Sequence, residues 1–272
     1  MAGQILGDRY ELEKQLGKKS GRWTFAARDL QDQVPVILKL LFIDDDLQPT
    51  DLKLFKREIE ALQQIDHPGT PRHLDYFEIT LPRDGKALAL VHSYVRGISL
   101  AKNLQQGRRL KEAEAQYVAE KVLEVLVYLH QHSPPIVHRD IRPSNILLEK
   151  DAAGGWPQVY LIDFGSVKSL TPGSTAFTKV GLDGYVPPEQ SGGRAMTVSD
   201  LYSLGATLIA AMTEQHPTDL QVGMKIEFTS IVTLSSDFAN WLERMVAPTL
   251  NQRWSSAAEA LAALQSIRAD QC

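Results

Sequence analysis

Three polar side chains in the middle of the chain have the types and the spacing that phosphoryl transfer requires. Asp140 and Asn145 lie five residues apart in the stretch VHRDIRPSNILL, and Asp163 follows in the stretch IDFG. Transfer of a phosphoryl group to a hydroxyl needs a carboxylate that orients the hydroxyl and accepts its proton, and metal ions that neutralise the phosphates. Either stretch alone arises easily in a turn, but the ordered pair, each beside a predicted β-strand, is a specific signal for this chemistry.

The N-terminal third of the chain is predicted to contain β-strands and one helix. Branched and aromatic residues are concentrated in short stretches that turn residues separate. One stretch instead places Leu52, Phe55, Ile59 and Leu62 at helical spacing. The predicted strands are RYELEKQLG, WTFAARDL, PVILKLLFI, RHLDYFEIT and ALALVHSYV, and the predicted helix is DLKLFKREIEALQQI.

The rest of the chain is predicted to be mainly helical, which gives an α+β protein. A hinge is expected near residues 95–97, between a small β-rich lobe at about 8–95 and a larger lobe at about 96–268. One short pair of strands, NILLEK and VYLIDFG, interrupts the helices, and residues 165–187 show little periodicity. The predicted helices are KEAEAQYVAEKVLEVLVYLHQH, VSDLYSLGATLIAAMT, SSDFANWLERMV and SAAEALAALQSI.

Composition and charge exclude several other classes of protein. The net charge of −4 and the pI of about 6.0 argue against a general nucleic-acid binder. Cys272 is the only cysteine, so neither an internal disulfide nor a cysteine metal cluster is expected. The longest apolar run, LYSLGATLIAAM, is too short to span a bilayer, and MAGQILGDRY lacks the pattern of a signal peptide. The expected location is the cytoplasm.

Two opposite charges lie inside predicted apolar elements and are expected to pair. Glu58 falls between Phe55 and Leu62 on the apolar side of the predicted helix, where an unpaired carboxylate would be costly. Lys39 lies inside the apolar strand PVILKLLFI. Two alternatives stay open at this point, namely that Lys39 extends to the surface and that Glu58 is a surface residue.

With these motifs in order, the sequence resembles the eukaryotic-type protein kinases, and most of all the bacterial serine/threonine protein kinases. The resemblance covers residues 10–264. It includes the H-R-D-x-x-x-x-N loop at Asp140, the D-F-G motif at Asp163 and the lysine of VILK. The stretches FKREIEAL, VPPEQ, SDLYSLG and NQRW match further landmarks of the family in the same order. The whole chain, residues 1–272, is accordingly expected to be a single bilobal protein kinase domain.

The resemblance implies an enzyme that uses ATP with Mg²⁺ or Mn²⁺ and phosphorylates serine or threonine hydroxyls of proteins. Asp140 would orient and deprotonate the acceptor hydroxyl, and Arg142 would steady the transferred phosphate. Asn145 and Asp163 would hold the metal ions. Lys39, fixed by Glu58, would bind the inner phosphates.

Further positions follow from the same resemblance. A structural role is implied for residues that brace the catalytic loop and the large lobe, and Arg253 is expected to pair with Glu189. Those residues are His138, Phe164, Glu189, Asp200 and Arg253. The positions implied for nucleotide binding are Leu16, Gly17, Lys19, Arg22, Thr24, Ile37, Lys39, Ser93, Val95, Leu147 and Asp163.

The sequence departs from the family pattern on the nucleotide side. In LGKKSGRWTFAARD, Lys19 and Arg22 replace the second and third glycines of the loop. Glycines let a backbone approach phosphates closely, so their loss weakens nucleotide binding unless the charges of Lys18, Lys19 and Arg22 bind the phosphates instead. Ile37 adds bulk where the adenine should pack, and Thr24 replaces a valine. His92, before the hinge, either packs or hydrogen-bonds near the nucleotide.

The substrate side also departs from the pattern. Arg142 replaces a lysine, and Leu182 replaces a threonine whose hydroxyl would position the loop. Arg139, beside the catalytic aspartate, suggests control by phosphorylation within residues 166–182, with Thr175 and Thr178 as the candidate sites.

Two other functions are compatible with these motifs. A pseudokinase that binds or scaffolds without transfer is favoured by the altered loop and opposed by the complete set of polar residues. A small-molecule kinase is disfavoured because the stretch ending in P-P-E and the arginine of H-R-D are both present. A metal site at His130 and His132 near His138 is also disfavoured. The sequence leaves the physiological substrate and the oligomeric state open.

Overall fold

The computed structural model describes residues 2–19, 21–80, 85–170 and 184–269. The chain divides into two compact units. One consists of Met1–Asp66 with Pro71–Val95, and the other consists of His67–Thr70 with Arg96–Cys272. The first is rich in β-strands and the second in helices, so the predicted α+β class is confirmed.

The β-rich unit is a six-stranded sheet with the strand order β1-β2-β3-β4-β6-β5, and the neighbours pair antiparallel. The helix α1, Pro49–Gln64, connects β4 to the following segment. The strands are β1 Ile5–Leu6, β2 Tyr10–Lys19, β3 Arg22–Asp29, β4 Val34–Ile43, β5 His73–Thr80 and β6 Lys86–Ser93.

Buried and partly exposed side chains alternate along β4, which explains why one face of the sheet lies in the core. Val36, Leu38 and Leu40 are buried, whereas Ile37 and Lys39 between them are partly exposed. Successive side chains of a strand point to opposite faces, so the branched residues enter the core while Lys39 lies on the other side of the sheet.

The helical unit contains six helices among the described residues. They are α2 Leu100–Gln105, α3 Glu112–His130, α4 Pro188–Ser191, α5 Thr197–Thr213, α6 Ser236–Met245 and α7 Ala257–Ala269. Short strands connect them: β7 Ile98–Ser99, β8 Ile136–Val137, β9 Ile146–Glu149, β10 Gln158–Leu161, β11 Lys168–Ser169, β12 Gln221–Val222 and β13 Lys225–Ile226. Two 3₁₀ turns occupy Pro143–Asn145 and Leu250–Gln252.

The helix α5 is the centre of this unit, because every residue from Ser199 to Thr213 is buried. Two of its polar side chains are satisfied within the helix: the hydroxyls of Ser203 and Thr207 donate to carbonyls one turn earlier. An all-round buried helix needs such internal partners, since no water reaches it. The elements that carry the polar motifs are therefore built around a rigid axis.

All the strands and helices predicted from periodicity are present, with shifted ends. The predictions missed the shortest elements, which are only two to six residues long, namely β1, β7, β8, β11, α2, α4 and the hairpin of β12 and β13. Thr175, Thr178 and Leu182 lie outside the described residues. Among the helices that the structure describes, none combines the length and the hydropathy that a bilayer span requires.

Close contact between α5 and α6 generates a prediction about stability. A Cβ atom at Gly205 would lie 2.6 Å from the Cβ of Met245 and 2.8 Å from Cγ1 of Val246. We expect Gly205→Ala to lower the free energy of unfolding in urea by about 1–3 kcal/mol, because the helices must move apart. Gly17→Ala is the control, since a Cβ there meets nothing within 4 Å. Equal stability of the two variants would contradict the prediction.

Candidate phosphoryl-transfer site

The H-R-D-x-x-x-x-N stretch, residues 138–145, is the catalytic loop and lies between β8 and β9 in the helical unit. Asp140 precedes the 3₁₀ turn Pro143–Asn145, and Asn145 leads directly into β9. The strands β9 and β10 pair antiparallel, with Leu161 opposite Ile146. Asp163 follows the end of β10, and Ile162 N donates to the Asn145 carbonyl at 2.9 Å. The strand pair thus brings the neighbourhood of Asp163 beside that of Asn145.

Asp140 and Asn145 are joined by hydrogen bonds. The Nδ2 of Asn145 donates to the backbone carbonyl of Asp140 at 2.8 Å and to its Oδ2 at 3.1 Å. Asn145 is buried, whereas the Asp140 side chain is 32% exposed. Arg142 Nη1 lies 3.9 Å from Asp140 Oδ1. The loop therefore holds a partly exposed carboxylate in a fixed orientation, with a guanidinium beside it.

Burial raises the pKa of Asp140 above its ordinary value, and the negative charge of Asp163 raises it further. The charges of His138 and Arg142 and the hydrogen bond from Asn145 act in the opposite direction, but they do not cancel the rise. A carboxylate with a raised pKa is a stronger base than an ordinary aspartate. This is the property that accepting a proton from a hydroxyl requires.

The buried carboxylate of Asp200 anchors the catalytic loop to α5. Its Oδ2 accepts from His138 N at 2.9 Å, and its Oδ1 accepts from Arg139 N at 2.8 Å. His130 Nε2 lies 3.0 Å from Oδ2. Asp200 is completely buried, so these donors replace the water that a carboxylate otherwise binds. The three contacts connect α3, α5 and the loop.

The three histidines near the loop have structural surroundings. His138 is fully buried, its ring packs edge-on against Phe164 at 5.0 Å, and its Nε2 lies 3.2 Å from the Ile162 carbonyl. His130 contacts Asp200, and His132 packs edge-on against Tyr128 at 4.7 Å. Within the described ranges, no group of three or more His, Cys, Asp or Glu side chains is placed to hold a metal ion.

The expected contact between Glu189 and Arg253 is present. Arg253 Nη1 donates to Glu189 Oε1 at 2.7 Å, and Ser199 Oγ donates to the same oxygen at 2.8 Å. Arg253 is buried and also donates to the Ala247 carbonyl from Nε, at 3.1 Å. These bonds attach the short helix α4 to the first turn of α5.

In the β-rich unit, the Lys39 ammonium group contacts the Glu58 carboxylate. The Glu58 side chain is 2% exposed and that of Lys39 is 17% exposed. Neither alternative describes this arrangement, because Glu58 is not a surface residue and Lys39 reaches the helix α1 instead of extending away from it. The contact joins β4 to α1.

The altered loop is a β2–β3 hairpin in which Lys18 and Arg22 have local partners, while the side chain of Lys19 lies outside the part that the structure describes. Lys18 lies opposite Trp23, with its Nζ 4.7 Å from the ring centroid. Arg22 Nη2 donates to the Asp51 carbonyl at 2.9 Å and lies 3.5 Å from Asp51 Oδ1. Arg22 thus binds the first turn of α1, and this contact competes with the phosphate binding predicted for Arg22. Gly17 lies opposite Thr24.

Other positions predicted for the nucleotide are spread over both units. In the β-rich unit, Ile37 lies opposite His92, which is buried with its Nδ1 3.1 Å from the Ser93 carbonyl. Ser93 Oγ accepts from Arg72 N at 2.9 Å. Leu16 is exposed and Val95 is partly buried. In the helical unit, Leu147 of β9 is partly buried between two buried neighbours.

Two contacts near Asp140 were not predicted from the sequence. One is the contact of His130 with Asp200, and the other is a hydrogen bond from Gln190 Nε2 to the Arg139 carbonyl at 2.8 Å. Both join residues at least 50 positions apart, so no local pattern indicates them. Arg139 itself is buried and has a φ of +70°, in the left-handed region.

The donor set of Asn145 and Asp163 fits a magnesium ion. Both side chains offer oxygen ligands, which Mg²⁺ prefers. Since Nδ2 of Asn145 donates to Asp140, its Oδ1 is directed away from that carboxylate, and the Asp163 side chain is exposed. The φ of Asp163 is +66°, a backbone conformation that aspartate adopts more readily than most residues.

The fold and the order of these polar groups are those of a protein kinase domain. The sequence matches the family described as "Protein kinase domain" over residues 10–265. The chain therefore belongs to the protein kinase domain family, and the predicted family and fold are confirmed.

Curated relatives support the same family. The chain is 32% identical to Serine/threonine-protein kinase B of Synechocystis sp., over 96% of this chain and 47% of that protein. It is 32% identical to Serine/threonine-protein kinase D of the same organism, over 97% of this chain and 53% of the relative. Serine/threonine-protein kinase PknA of Nostoc sp. is also 32% identical, over 96% and 48%. The chain spans about half the length of these relatives.

Removal of the Asp200 carboxylate tests its structural importance. Asp200→Ala leaves two buried backbone N–H groups of the catalytic loop without their acceptor. We expect the free energy of unfolding in urea to fall by about 2–5 kcal/mol. Asp237→Ala, an exposed aspartate in the first turn of α6, is the control and should cost less than about 1 kcal/mol. Similar losses for the two variants would refute the anchoring role.

The raised pKa of Asp140 predicts a pH-dependent gain in stability when its charge is removed. The folded state binds this proton more tightly than the unfolded chain, whose carboxyl group has a pKa of 3.8. The ionised form therefore destabilises the folded state at any pH above the folded pKa. Asp140→Asn should raise the midpoint of urea unfolding near neutral pH.

The same difference should shrink as the pH falls and vanish below about pH 3, well under the unfolded-state pKa of 3.8, where the carboxyl group is protonated in both states. Urea titrations of the wild type and of Asp140→Asn, from neutral pH down through this range, measure the difference between their midpoints. A lower midpoint for Asp140→Asn near neutral pH would contradict the assigned direction.

Proposed function

We propose that the protein is an ATP-dependent protein kinase that transfers the γ-phosphoryl group to serine or threonine hydroxyls of proteins. The observation that carries the proposal is the arrangement of Asp140, which is partly exposed, oriented by Asn145 and flanked by Arg142. The three relatives described above are named serine/threonine-protein kinases, which supports the choice of acceptor.

In this proposal the catalytic loop supplies the base. Asp140 accepts a hydrogen bond from the acceptor hydroxyl and takes its proton as the oxygen attacks the phosphorus. The hydrogen bond from Asn145 Nδ2 to Oδ2 keeps the carboxylate in place during the transfer. Arg142 is close enough to Asp140 to bind an oxygen of the transferred group, and its fixed charge stabilises the negative charge that develops there.

Asn145 and Asp163 are proposed to hold the metal ions. Bound Mg²⁺ or Mn²⁺ would supply positive charge that offsets the charge of the phosphates. Phe164 and His138, packed together, would keep Asp163 from turning away, because the residue next to it is buried.

Lys39 is proposed to bind the inner phosphates of ATP. Its contact with Glu58 orients the ammonium group, and a lysine presents a compact charge with three donors. Thr24 lies opposite Lys39 in the sheet. Since Arg22 is held by Asp51, Lys39 is the main cation that we propose for phosphate binding in the β-rich unit, and the other nucleotide positions stay predictions.

Four further points also stay predictions. They are regulation by phosphorylation at Thr175 or Thr178, the cytoplasmic location, the absence of a nucleic-acid partner and the limits of the domain. A buried Arg139 must become accessible before a phosphate can bind its guanidinium. Binding of a phosphorylated residue would therefore have to be coupled to a local rearrangement.

Phosphoryl transfer from radiolabelled ATP to a generic protein acceptor, with Mg²⁺ or Mn²⁺, tests the function. We expect the wild-type protein to transfer label and Asp140→Asn to be at least about 100-fold slower, since the base is lost. Asp237→Asn, on the exposed side of α6, is the matched control and should transfer at the wild-type rate.

ATP binding is measured alongside by a thermal-shift titration. A ligand that binds the native state raises its apparent stability, so ATP with Mg²⁺ should raise the melting temperature of the wild type and of Asp140→Asn. Binding without transfer by the wild type would overturn the proposal in favour of a pseudokinase. Equal transfer by Asp140→Asn would refute the role of Asp140.

A further inference from the structure

A buried glutamine in α4 contacts the catalytic loop and has no role in the function proposed above. Gln190 is 2% exposed, and its Nε2 donates to the backbone carbonyl of Arg139 at 2.8 Å. Arg139 immediately precedes Asp140 in the chain. The hydrogen bond therefore connects α4 to the residue next to the proposed base.

The backbone of Arg139 is held on both of its polar sides. Its N–H donates to Asp200 at 2.8 Å, and its carbonyl accepts from Gln190. With a φ of +70°, the residue has a conformation that residues with a side chain seldom adopt. Because the Arg139 carbonyl carbon is bonded to the Asp140 nitrogen, rotation of this peptide unit would redirect Asp140.

The donor of Gln190 comes from a fixed backbone. A helix of four residues has little stability of its own, so α4 depends on its contacts. Its Glu189 accepts hydrogen bonds from Arg253 at 2.7 Å and from Ser199 at 2.8 Å. Gln190 is the next residue. The contacts of Glu189 therefore also hold Gln190 beside the loop.

The side-chain oxygen of Gln190 argues against a role in packing alone. Its Oε1 is buried and has no hydrogen-bond partner within the described part of the chain. A buried oxygen without a donor is unfavourable, and a methionine of similar length would fill the space without it. The amide at this position is therefore best explained by its N–H group, which binds the Arg139 carbonyl.

We infer that Gln190 is a positioning residue, which fixes the direction of Asp140 through the carbonyl of Arg139 and makes phosphoryl transfer depend on how α4 is seated. The inference rests on the proposed function, because it concerns the same base. It extends that function by connecting α4 directly to the catalytic loop.

The test compares Gln190→Met with a matched control. Gln116 on α3 is also 2% exposed, and its Nε2 donates to Glu112 at 3.1 Å, away from the loop. Gln190→Met should lower kcat about tenfold with little change in KM for ATP, since positioning of the base is lost while nucleotide binding is kept. Gln116→Met should leave kcat unchanged.

Hydrogen–deuterium exchange of the peptide that covers residues 138–146 gives a second readout that does not need activity. Exchange should be faster in Gln190→Met than in the wild type, and unchanged in Gln116→Met. If Gln190→Met does not fold, Gln190→Asn replaces it, because the shorter amide cannot reach the carbonyl. It is expected to show the same two effects.

The outcomes separate this inference from the proposed function. A tenfold loss of kcat with faster exchange only in the Gln190 variants supports it. A wild-type kcat in a folded Gln190 variant, or equal losses in the Gln116 control, overturns it. If the wild type transfers no phosphate, the proposed function fails, and exchange alone decides: unchanged exchange in the Gln190 variants refutes the contact's effect on the loop.

Discussion

The arrangement of the helical unit depends on one buried charge, the carboxylate of Asp200. A carboxylate removed from water must be satisfied by donors of the protein, and here the donors are two consecutive backbone N–H groups of the catalytic loop and a histidine of α3. The loop in turn depends on Asp200, because Arg139 has a left-handed backbone conformation that needs support from outside the loop. The central helix therefore determines the path of the chain that leads to Asp140.

A second charge pair organises the β-rich unit in the same way. Glu58 is buried on α1 and contacts Lys39. The Lys39 side chain extends from the face of β4 that is opposite the apolar core. Arg22 adds a further bond between the sheet and α1 through Asp51. Arg22, which stands where the family pattern has a glycine, thus gives the β2–β3 hairpin a contact with the helix that carries Glu58. This contact is a structural consequence of the altered loop.

The sequence predicts most of the fold and part of the site. Periodicity is sufficient for the long elements, and the position of Glu58 between Phe55 and Leu62 indicates its burial and hence its need for a cation. The direction of Arg22 could not be predicted, because a flexible guanidinium can bind a phosphate or a helix and only the tertiary structure decides. The contacts of Gln190 and His130 join distant segments and have no local signature.

The claim that Asp200 fixes the catalytic loop is tested most directly by native-state hydrogen exchange of the His138 and Arg139 amides, followed by NMR at increasing urea. Both N–H groups are bonded to a buried carboxylate on the central helix, so the account predicts that they exchange only when the unit unfolds as a whole. Their opening free energy should equal that of global unfolding and decrease with urea in the same way. Exchange at a much faster rate that is independent of urea would show that the loop opens locally, and would contradict the account.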